Sequence, residues 1–323
     1  MKLEELIEKI VIEQGLVTKG RIKGITPETV LSLNSTVIIY NVTYDDGSEG
    51  VLPSSFVIKT SKDGQVGFEN LFYRHYGSVA GLPVLKVYYA DEEVIIMENI
   101  SGTHTIPAWP ANTASNLVQA TQCIAGFHAR LLNPGNLRET SKELIAARGY
   151  ADPYISRVDE EQLRRFMDEF GSHINELGGK CYSFLLSHLK KPRAESRYAS
   201  VVSGDPHPWN FWYPKKHGNT ILFDFGEFGI GSPTDDLAHL ALYCEHAVDR
   251  RIDPHELKDI YFGIMRNQGF DIGVLGIEYR KSQVRRLLTP AWFWARGIVD
   301  NKVIGYLNIA LKYIQEPDLD LFK

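Results

Sequence analysis

Cysteine is scarce in this chain of 323 residues, with three residues at Cys123, Cys181 and Cys244 and no CxxC pair. An odd number of widely spaced thiols excludes a disulfide framework and a zinc-finger arrangement, and reads as reduced core thiols in a cytoplasmic protein. Long hydrophobic runs are missing too: none approaches the roughly 18 residues that a membrane span needs, so no membrane partner is expected. The opening, Met1 to Gln14, carries Glu4, Glu5, Glu8 and Glu13, which argues against a signal peptide. Basic charge is in deficit, with 35 Lys and Arg against 40 Asp and Glu, a net −5. That balance disfavours nucleic acid as a partner, because no basic excess is available to neutralise phosphates. There is also no internal repeat and no low-complexity tract. The hydrophobic share of 44% and charged share of 23% belong to an ordinary globular protein, long enough for two modest lobes that each bury a core.

The charge is unevenly spread. Residues 1–100 hold 9 Lys and Arg against 14 Asp and Glu, leaving 26 of each sign in the remainder. The deficit therefore sits in the N-terminal third, and the larger C-terminal part is balanced. Patterning divides the chain in the same place. A short lead-in helix over 3–14 is followed by segments rich in Val, Ile, Thr and Tyr at 20–25, 29–33, 36–44 and 55–60, read as strands. A helix over 67–76 and strands over 83–90 and 93–98 complete a mixed lobe of residues 1–100. Residues 101–112, with Pro107 and Pro110, form the hinge or linker. The rest, 113–323, reads as helical, with helices over 113–132, 158–189, 235–247, 254–268, 276–298 and near 301–315. Short strands interrupt them at 200–203 and 220–225.

The chemistry-bearing stretch is 201–237. An apolar run ends in Ser203-Gly204-Asp205, Asn210 lies five positions after the aspartate, and a second apolar run delivers Asp224-Phe225-Gly226 fourteen positions later. Phosphoryl transfer needs these residue types. One carboxylate orients the attacking hydroxyl and accepts its proton, while a carboxamide oxygen and a second carboxylate hold magnesium, a hard cation, against the phosphates. Two short strands ending side by side would bring Asp205, Asn210 and Asp224 to one point. Alone, a DFG or a D-x4-N carries almost no information. The joint pattern, each motif after an apolar strand and with an upstream lysine in Val57-Ile58-Lys59, carries much more.

D-x4-N followed by DFG resembles the catalytic and metal-binding loops of eukaryotic-type kinases. No arginine precedes Asp205, and the stretch from Gly229 to Ala238 reads GxxxxPxxDLA-like. These features resemble the aminoglycoside phosphotransferase and choline kinase group of small-molecule kinases, including its ecdysteroid-kinase-like branch, across about residues 20–245. Ser203 stands where that family usually has His. The resemblance implies an α+β, protein-kinase-like bilobal fold with a small β-rich N-lobe and a larger, mostly helical C-lobe. It implies Asp205 as the catalytic residue, Asn210 and Asp224 as metal ligands for Mg2+, Lys59 on the ATP phosphates and Glu69 as its helix partner. Glu98 and Ile100, in the run Ile95 to Ile100, stand at the hinge that receives adenine. Phosphate-covering duty falls to the turn with Ser35 and Thr36, although that turn lacks the family's frequent glycine and Lys19-Gly20 and Lys23-Gly24 lie close by. His128, in Ala125-Gly126-Phe127-His128-Ala129, resembles a structural position of the family.

Other residues have plainer expected roles. Asp236 is expected to brace the catalytic loop, Asp235 to be solvated or a helix N-cap, and His207 to be scaffolding or a substrate contact. Trp209 and Trp212 are expected to pack the loop. Trp292-Phe293-Trp294 is expected to pack the core, with a wall of the acceptor pocket as the alternative. The function implied is transfer of the γ-phosphoryl group of ATP, or GTP, to a small-molecule hydroxyl acceptor. A charge-balanced C-terminal part favours a neutral, partly apolar alcohol over a polycation. The alternatives are a catalytically silent pseudokinase or scaffold that binds nucleotide or a partner, which the glycine-poor turn would suit, and a metal-dependent phosphohydrolase, for which His207 and His239 offer no repeated ligand motif and which leaves Lys59 unexplained.

Overall fold

The computed structural model describes residues 3–30, 36–60, 66–132, 158–188, 198–298 and 300–314. They form two compact units, one of Met1–Thr105 with Pro214–Gly226 and one of Ile106–Tyr213 with Glu227–Lys323. The first is β-rich and the second mostly helical.

The first unit starts with helix α1, Leu3–Glu13, whose Leu6, Ile7, Ile10 and Val11 recur at helical spacing and are all buried, the signature of one apolar face laid on a core. After it come β1 (Val17–Lys19), β2 (Ile22–Val30), β3 (Thr36–Tyr44), β4 (Glu49–Gly50) and β5 (Ser55–Thr60). Helix α2 (Val66–Tyr76), β6 (Val87–Ala90) and β7 (Val94–Glu98) complete the series. Five strands make one sheet in the order β2-β3-β5-β7-β6, with all four pairings antiparallel. The segments expected at 20–25 and 29–33 are one strand up to Val30. Pro27 sits within it without breaking it, because β2 is an edge strand whose outer N–H groups need no partner.

Alternation sorts the sheet's faces. Phe56 pairs Glu98 and Ile58 pairs Ile96, whereas Val57 pairs Met97 and Lys59 pairs Ile95. Paired residues share a face, so Phe56, Ile58 and Ile96 point into the core under α1, and Lys59 points to the other face. There α2 supplies Phe72, Tyr73 and Tyr76, each buried. The outlying segment Pro214–Gly226 is tied into this unit by backbone bonds, Leu222 N–H to Pro83 O at 2.8 Å and Lys215 N–H to Thr103 O at 2.9 Å. The Lys215 ammonium adds a bond to Ser101 O at 2.7 Å.

In the second unit, helix Ala114–Leu131 begins at Thr113, whose side chain accepts from the Asn116 N–H. The single helix expected at 158–189 is two, Glu160–Phe170 and Glu176–His188, separated by a short 3-10 turn. Asp159 and Gln162 form a capping box at the start of the first. Pro233–Ala241, Pro254–Asn267, Ile272–Arg285, Leu288–Ala295 and Asp300–Tyr313 follow. The helix expected over 276–298 is likewise two. A small antiparallel ribbon of Ser200–Val202 and Gly229–Gly231 carries the segment that ends in Asp205. Cys123, Cys181 and Cys244 are free and buried. Among the described residues no helix is long and apolar enough to cross a membrane.

Candidate active site

In the first unit, three residues far apart in sequence meet on the α2 face of the sheet. The Lys59 ammonium lies 2.6 Å from Glu69 Oε2 and 2.9 Å from Asp224 Oδ1. Period-2 alternation sends Lys59 away from the α1 core, and α2 presents Glu69 to it in its first turn. Glu69 is 2% exposed. Burial works to lower the Lys59 pKa, but the charges of Glu69 and Asp224 and their hydrogen bonds prevail and hold it above its ordinary value. Lys59 is therefore a fixed cation. Burial pushes the Glu69 carboxyl up, and the Lys59 charge opposes that shift.

Asp224 is held in an unusual way. Its φ of 62° makes it the only non-glycine residue at positive φ among the described residues, a conformation that side chains seldom adopt without compensation. Compensation is visible on either side. Phe225 is fully buried and stacks on Phe72 with centroids 3.6 Å apart and planes 8° from parallel. The Phe225 N–H points at Glu69 Oε1, 3.4 Å away. Helix α2 thus anchors both Lys59 and the Asp224-Phe225-Gly226 segment, leaving the Asp224 side chain 44% exposed.

In the second unit, Asp205 follows Gly204, whose φ of 83° and tight setting (a Cβ there would stand 2.1 Å from Glu227 O) require glycine. Asp236 clamps this turn from behind. It accepts the Ser203 N–H at 2.7 Å and the Gly204 N–H at 3.0 Å. Its Oδ2 also lies 3.1 Å from His128 Nε2, and His128 Nδ1 lies 2.8 Å from the Tyr261 hydroxyl. Because a carboxylate only accepts, His128 Nε2 carries the proton. Asp236 and His128 therefore brace the loop. Asp235, expected to be solvated or a helix cap, is neither: it is 5% exposed and takes the Arg285 guanidinium, with Nε at 3.0 Å. The N-cap of that helix is Ser232.

Asp205 itself is 32% exposed, with His239 Nε2 at 3.4 Å from Oδ1 and His207 Nε2 at 3.7 Å from Oδ2. His239 is 1% exposed, and its Nδ1 faces Arg286 Nη1 at 3.3 Å. Burial first, then the charges of Arg286 and His207, push the His239 pKa well below its ordinary value. A guanidinium can only donate, so Nδ1 is the acceptor, the ring is neutral, and Nε2–H points at Asp205. Neither His239 nor Arg286 was singled out at this position by sequence reasoning. They lie 47 positions apart, and no motif links them.

Asn210 is buried and spends its Nδ2 on the Asp205 carbonyl at 2.8 Å, which leaves the carboxamide oxygen for another partner. Glu98 is engaged on both sides with Lys86: its N–H donates to Lys86 O at 2.9 Å, and its Oε1 accepts the Lys86 N–H at 2.8 Å. The Ile100 carbonyl is taken by the N–H groups of Thr103 and His104, both at 2.9 Å. Among the described residues the Ile100 N–H has no hydrogen-bond partner. Thr36 opens β3, and Ser35 lies outside the described residues.

Asp224 in the first unit and Asn210 in the second each carry an oxygen of the kind that a hard divalent cation such as Mg2+ prefers. Asp224 Oδ1 is committed to Lys59, and its second oxygen is on the part-exposed side chain.

The profile of the phosphotransferase enzyme family matches residues 41–261. Among solved structures, amicoumacin kinase hAmiN in complex with AMP-PNP, Ca2+ and Ami aligns with a TM-score of 0.55 at 16% identity, covering 100% of both chains. A macrolide 2'-phosphotransferase type I aligns at 0.53 and 13% identity, covering 98% of this chain and 97% of its own. ADP-bound aminoglycoside phosphotransferase APH(2'')-Ib gives 0.53 and 13%, covering 98% of each. Identities this low carry the fold: a small β-rich lobe and a larger helical one. Among curated proteins no sequence matches the chain.

Proposed function

Since the chain belongs to the phosphotransferase enzyme family, we propose that it is an active Mg-ATP-dependent kinase that moves the γ-phosphoryl group to a hydroxyl of a small molecule. The observation that carries this reading is the meeting of Lys59 with Glu69 and Asp224 at 2.6 and 2.9 Å. A silent scaffold has no need of a cation held between two carboxylates on the face away from the core.

Each residue then has a role. Lys59 meets the α- and β-phosphates as a permanently charged donor, aimed by Glu69. Asn210 and Asp224 offer oxygen ligands to Mg2+, which when bound neutralises charge on the β- and γ-phosphate oxygens. The unpartnered Ile100 N–H and the Glu98 carbonyl serve adenine, or guanine, and Ser35 and Thr36 serve the phosphates. Asp205 orients the acceptor hydroxyl and takes its proton. His239 positions Asp205 by donating Nε2–H to one carboxylate oxygen, so the other remains directed at the acceptor. Chemistry of this kind needs positioned charges and no covalent intermediate. The amicoumacin kinase with AMP-PNP and the ADP-bound aminoglycoside phosphotransferase support nucleotide use. Balanced charge beyond residue 100 favours a neutral acceptor over a polycation.

Thermal stabilisation by ATP and by GTP, with and without Mg2+, tests this on wild type and on Asp224→Ala. Nucleotide at a hundred times its Kd stabilises by about 2.7 kcal/mol. Stabilisation that needs Mg2+ and is lost in the variant is expected, and the better of the two nucleotides is the donor. A folded wild type indifferent to both would point to a silent scaffold or to a site completed only by its acceptor, and stabilisation without phosphoryl transfer to any acceptor would point to a nucleotide-binding pseudokinase.

A further inference from the structure

A row of aromatic rings in the helical unit starts beside Asp205 and runs outward along it. His239, the partner of Asp205, stacks on Tyr243 with centroids 5.8 Å apart and planes 15° from parallel. From Tyr243 the row goes two ways. Towards the loop it meets Trp209 at 5.7 Å, and Trp209 meets Trp109 at 4.2 Å. Towards the last helices it meets Tyr306 at 6.2 Å, then Phe293 at 4.9 Å and Trp292 at 5.1 Å. Burial separates a back from a front. Trp209 and Tyr243 are 9% and 5% exposed, whereas Trp109 is 64% exposed, and Tyr306, Phe293 and Trp292 are half-buried. Core packing alone would close the row on every side, whereas Trp109 lies open at one end of it. Trp294, half-buried like its neighbours, leaves the row and turns the other way, donating Nε1–H to Glu169 at 3.1 Å and lying against Phe166 at 6.0 Å.

Three polar ring atoms also lie at this row without partners among the described residues: His207 Nδ1, Trp209 Nε1 and His246 Nδ1. His207 and His246 are themselves ring neighbours of Tyr243, at 6.2 and 5.8 Å. Buried polar atoms are normally satisfied, so a group of three marks a place where the bare chain is incomplete.

The row offers little to a cation. The carboxylates that follow Tyr243 are spoken for: Glu245 receives Lys312, the Tyr313 hydroxyl and Arg251. Asp249 accepts the Ala114 N–H, and Asp253 caps its helix on the His255 N–H. At the outer end Arg296 lies 4.9 Å over the Trp292 ring, placing a positive charge there.

We propose that this row is the acceptor-binding wall of the phosphotransferase described above, and that it takes a neutral alcohol bearing its hydroxyl on or next to a flat apolar ring system. Ring faces recognise flat apolar surface by offset stacking, and an apolar wall with a few convergent polar groups is the usual make-up of a small-molecule site. The proposal rests on Asp205 being the hydroxyl-orienting group, so the test reads binding and turnover separately.

Three probes are titrated by calorimetry: 2-naphthalenemethanol (neutral and flat), myo-inositol (neutral without a flat apolar face) and kanamycin (polycationic). Each is then assayed for ADP release with Mg-ATP. Binding of 2-naphthalenemethanol alone is expected, weakened about three- to tenfold by Trp109→Ala and by Tyr306→Leu, the loss of one ring contact each. Tyr306→Phe, which keeps the ring, is expected to bind like wild type. Failure of 2-naphthalenemethanol to bind at millimolar concentration, or kanamycin binding that ignores both ring-removing variants, would overturn the wall. Ring-dependent binding without ADP release would uphold the wall and count against the phosphotransferase reading. Kanamycin turnover without any ring dependence would do the reverse.

Discussion

Asp236 is where removal of one side chain should do the most damage for a reason visible in three distances. It accepts two backbone N–H groups, of Ser203 at 2.7 Å and Gly204 at 3.0 Å, and the His128 Nε2–H at 3.1 Å. All of this happens at 1% exposure, where water cannot stand in. Asp236→Ala orphans three donors at once. A buried donor left without its acceptor costs about 1–3 kcal/mol, so the two backbone groups alone predict a loss of about 4 kcal/mol. That is a large share of the 5–15 kcal/mol typical of a folded protein. Asp236→Asn removes the charge and one of the two acceptor oxygens but keeps the shape. Its amide oxygen can serve Ser203 and His128, but its NH2 then faces the Gly204 N–H, donor against donor, and the expected loss is about half. The assay is urea unfolding of wild type and both variants, with hydrogen exchange followed at the Ser203 and Gly204 amides. Both amides should exchange faster in Asp236→Ala, and Gly204 selectively in Asp236→Asn. A loss under about 1 kcal/mol with unchanged exchange would refute the clamp.

Two further perturbations follow from the ion pairs. Lys59→Met strands Glu69, which is 2% exposed, and should destabilise by about 3 kcal/mol, as breaking a buried pair does. Adding Glu69→Gln should restore part of that, and urea midpoints that are identical for the single and double variants would refute the argument. His239, whose pKa burial and Arg286 depress, gives a pH signature. Above pH 6.5 it is neutral folded and unfolded, and its full contribution to stability is present. Below pH 6.5 the unfolded chain takes up a proton that the folded chain refuses, so stability falls by up to about 1.4 kcal/mol per pH unit. His239→Gln should remove that slope, and parallel stability curves for variant and wild type between pH 7.5 and 5 would sink the assignment.

What the sequence disclosed is what is encoded locally. The lysine of Val57-Ile58-Lys59 was legible from its place at the end of an apolar strand and from the family resemblance, and the structure brings it to Glu69 and Asp224. The strand Ser55–Thr60 and helix Val66–Tyr76 likewise announced themselves by period. Helix ends were harder. The expected helix 158–189 runs through Gly171, where the chain instead leaves α-helix for a 3-10 turn. The segments expected at 20–25 and 29–33 were separated where the structure has one edge strand running through Pro27 to Val30. Burial of charge was legible only in part. Asp236 was expected to brace the catalytic loop and is found clamping a backbone turn there, but only the fold gives its neighbour Asp235 to Arg285. The His239–Arg286 pair fails to show for the same reason, since the contact is made by helices that happen to pack.

These contacts share a logic that a list of site residues conceals. In each unit the group given a chemical role is partly open to solvent, and the group that fixes it is more buried. Lys59 is 16% exposed and its partner Glu69 2%; Asp205 is 32% exposed and its partner His239 2%. Were the burial reversed, the exposed partner would be screened and mobile, and would aim nothing. Burial of the partner makes the interaction strong, and exposure of the working group leaves it a face for substrate. Asp236 repeats the pattern one layer back, holding the backbone that carries Asp205. In the proposed kinase, groups held this way would meet the developing charge of phosphoryl transfer already in place, which is where electrostatic catalysis draws its strength. It follows that the most damaging substitutions need not touch substrate: they are those at Glu69, His239 and Asp236, behind the working groups.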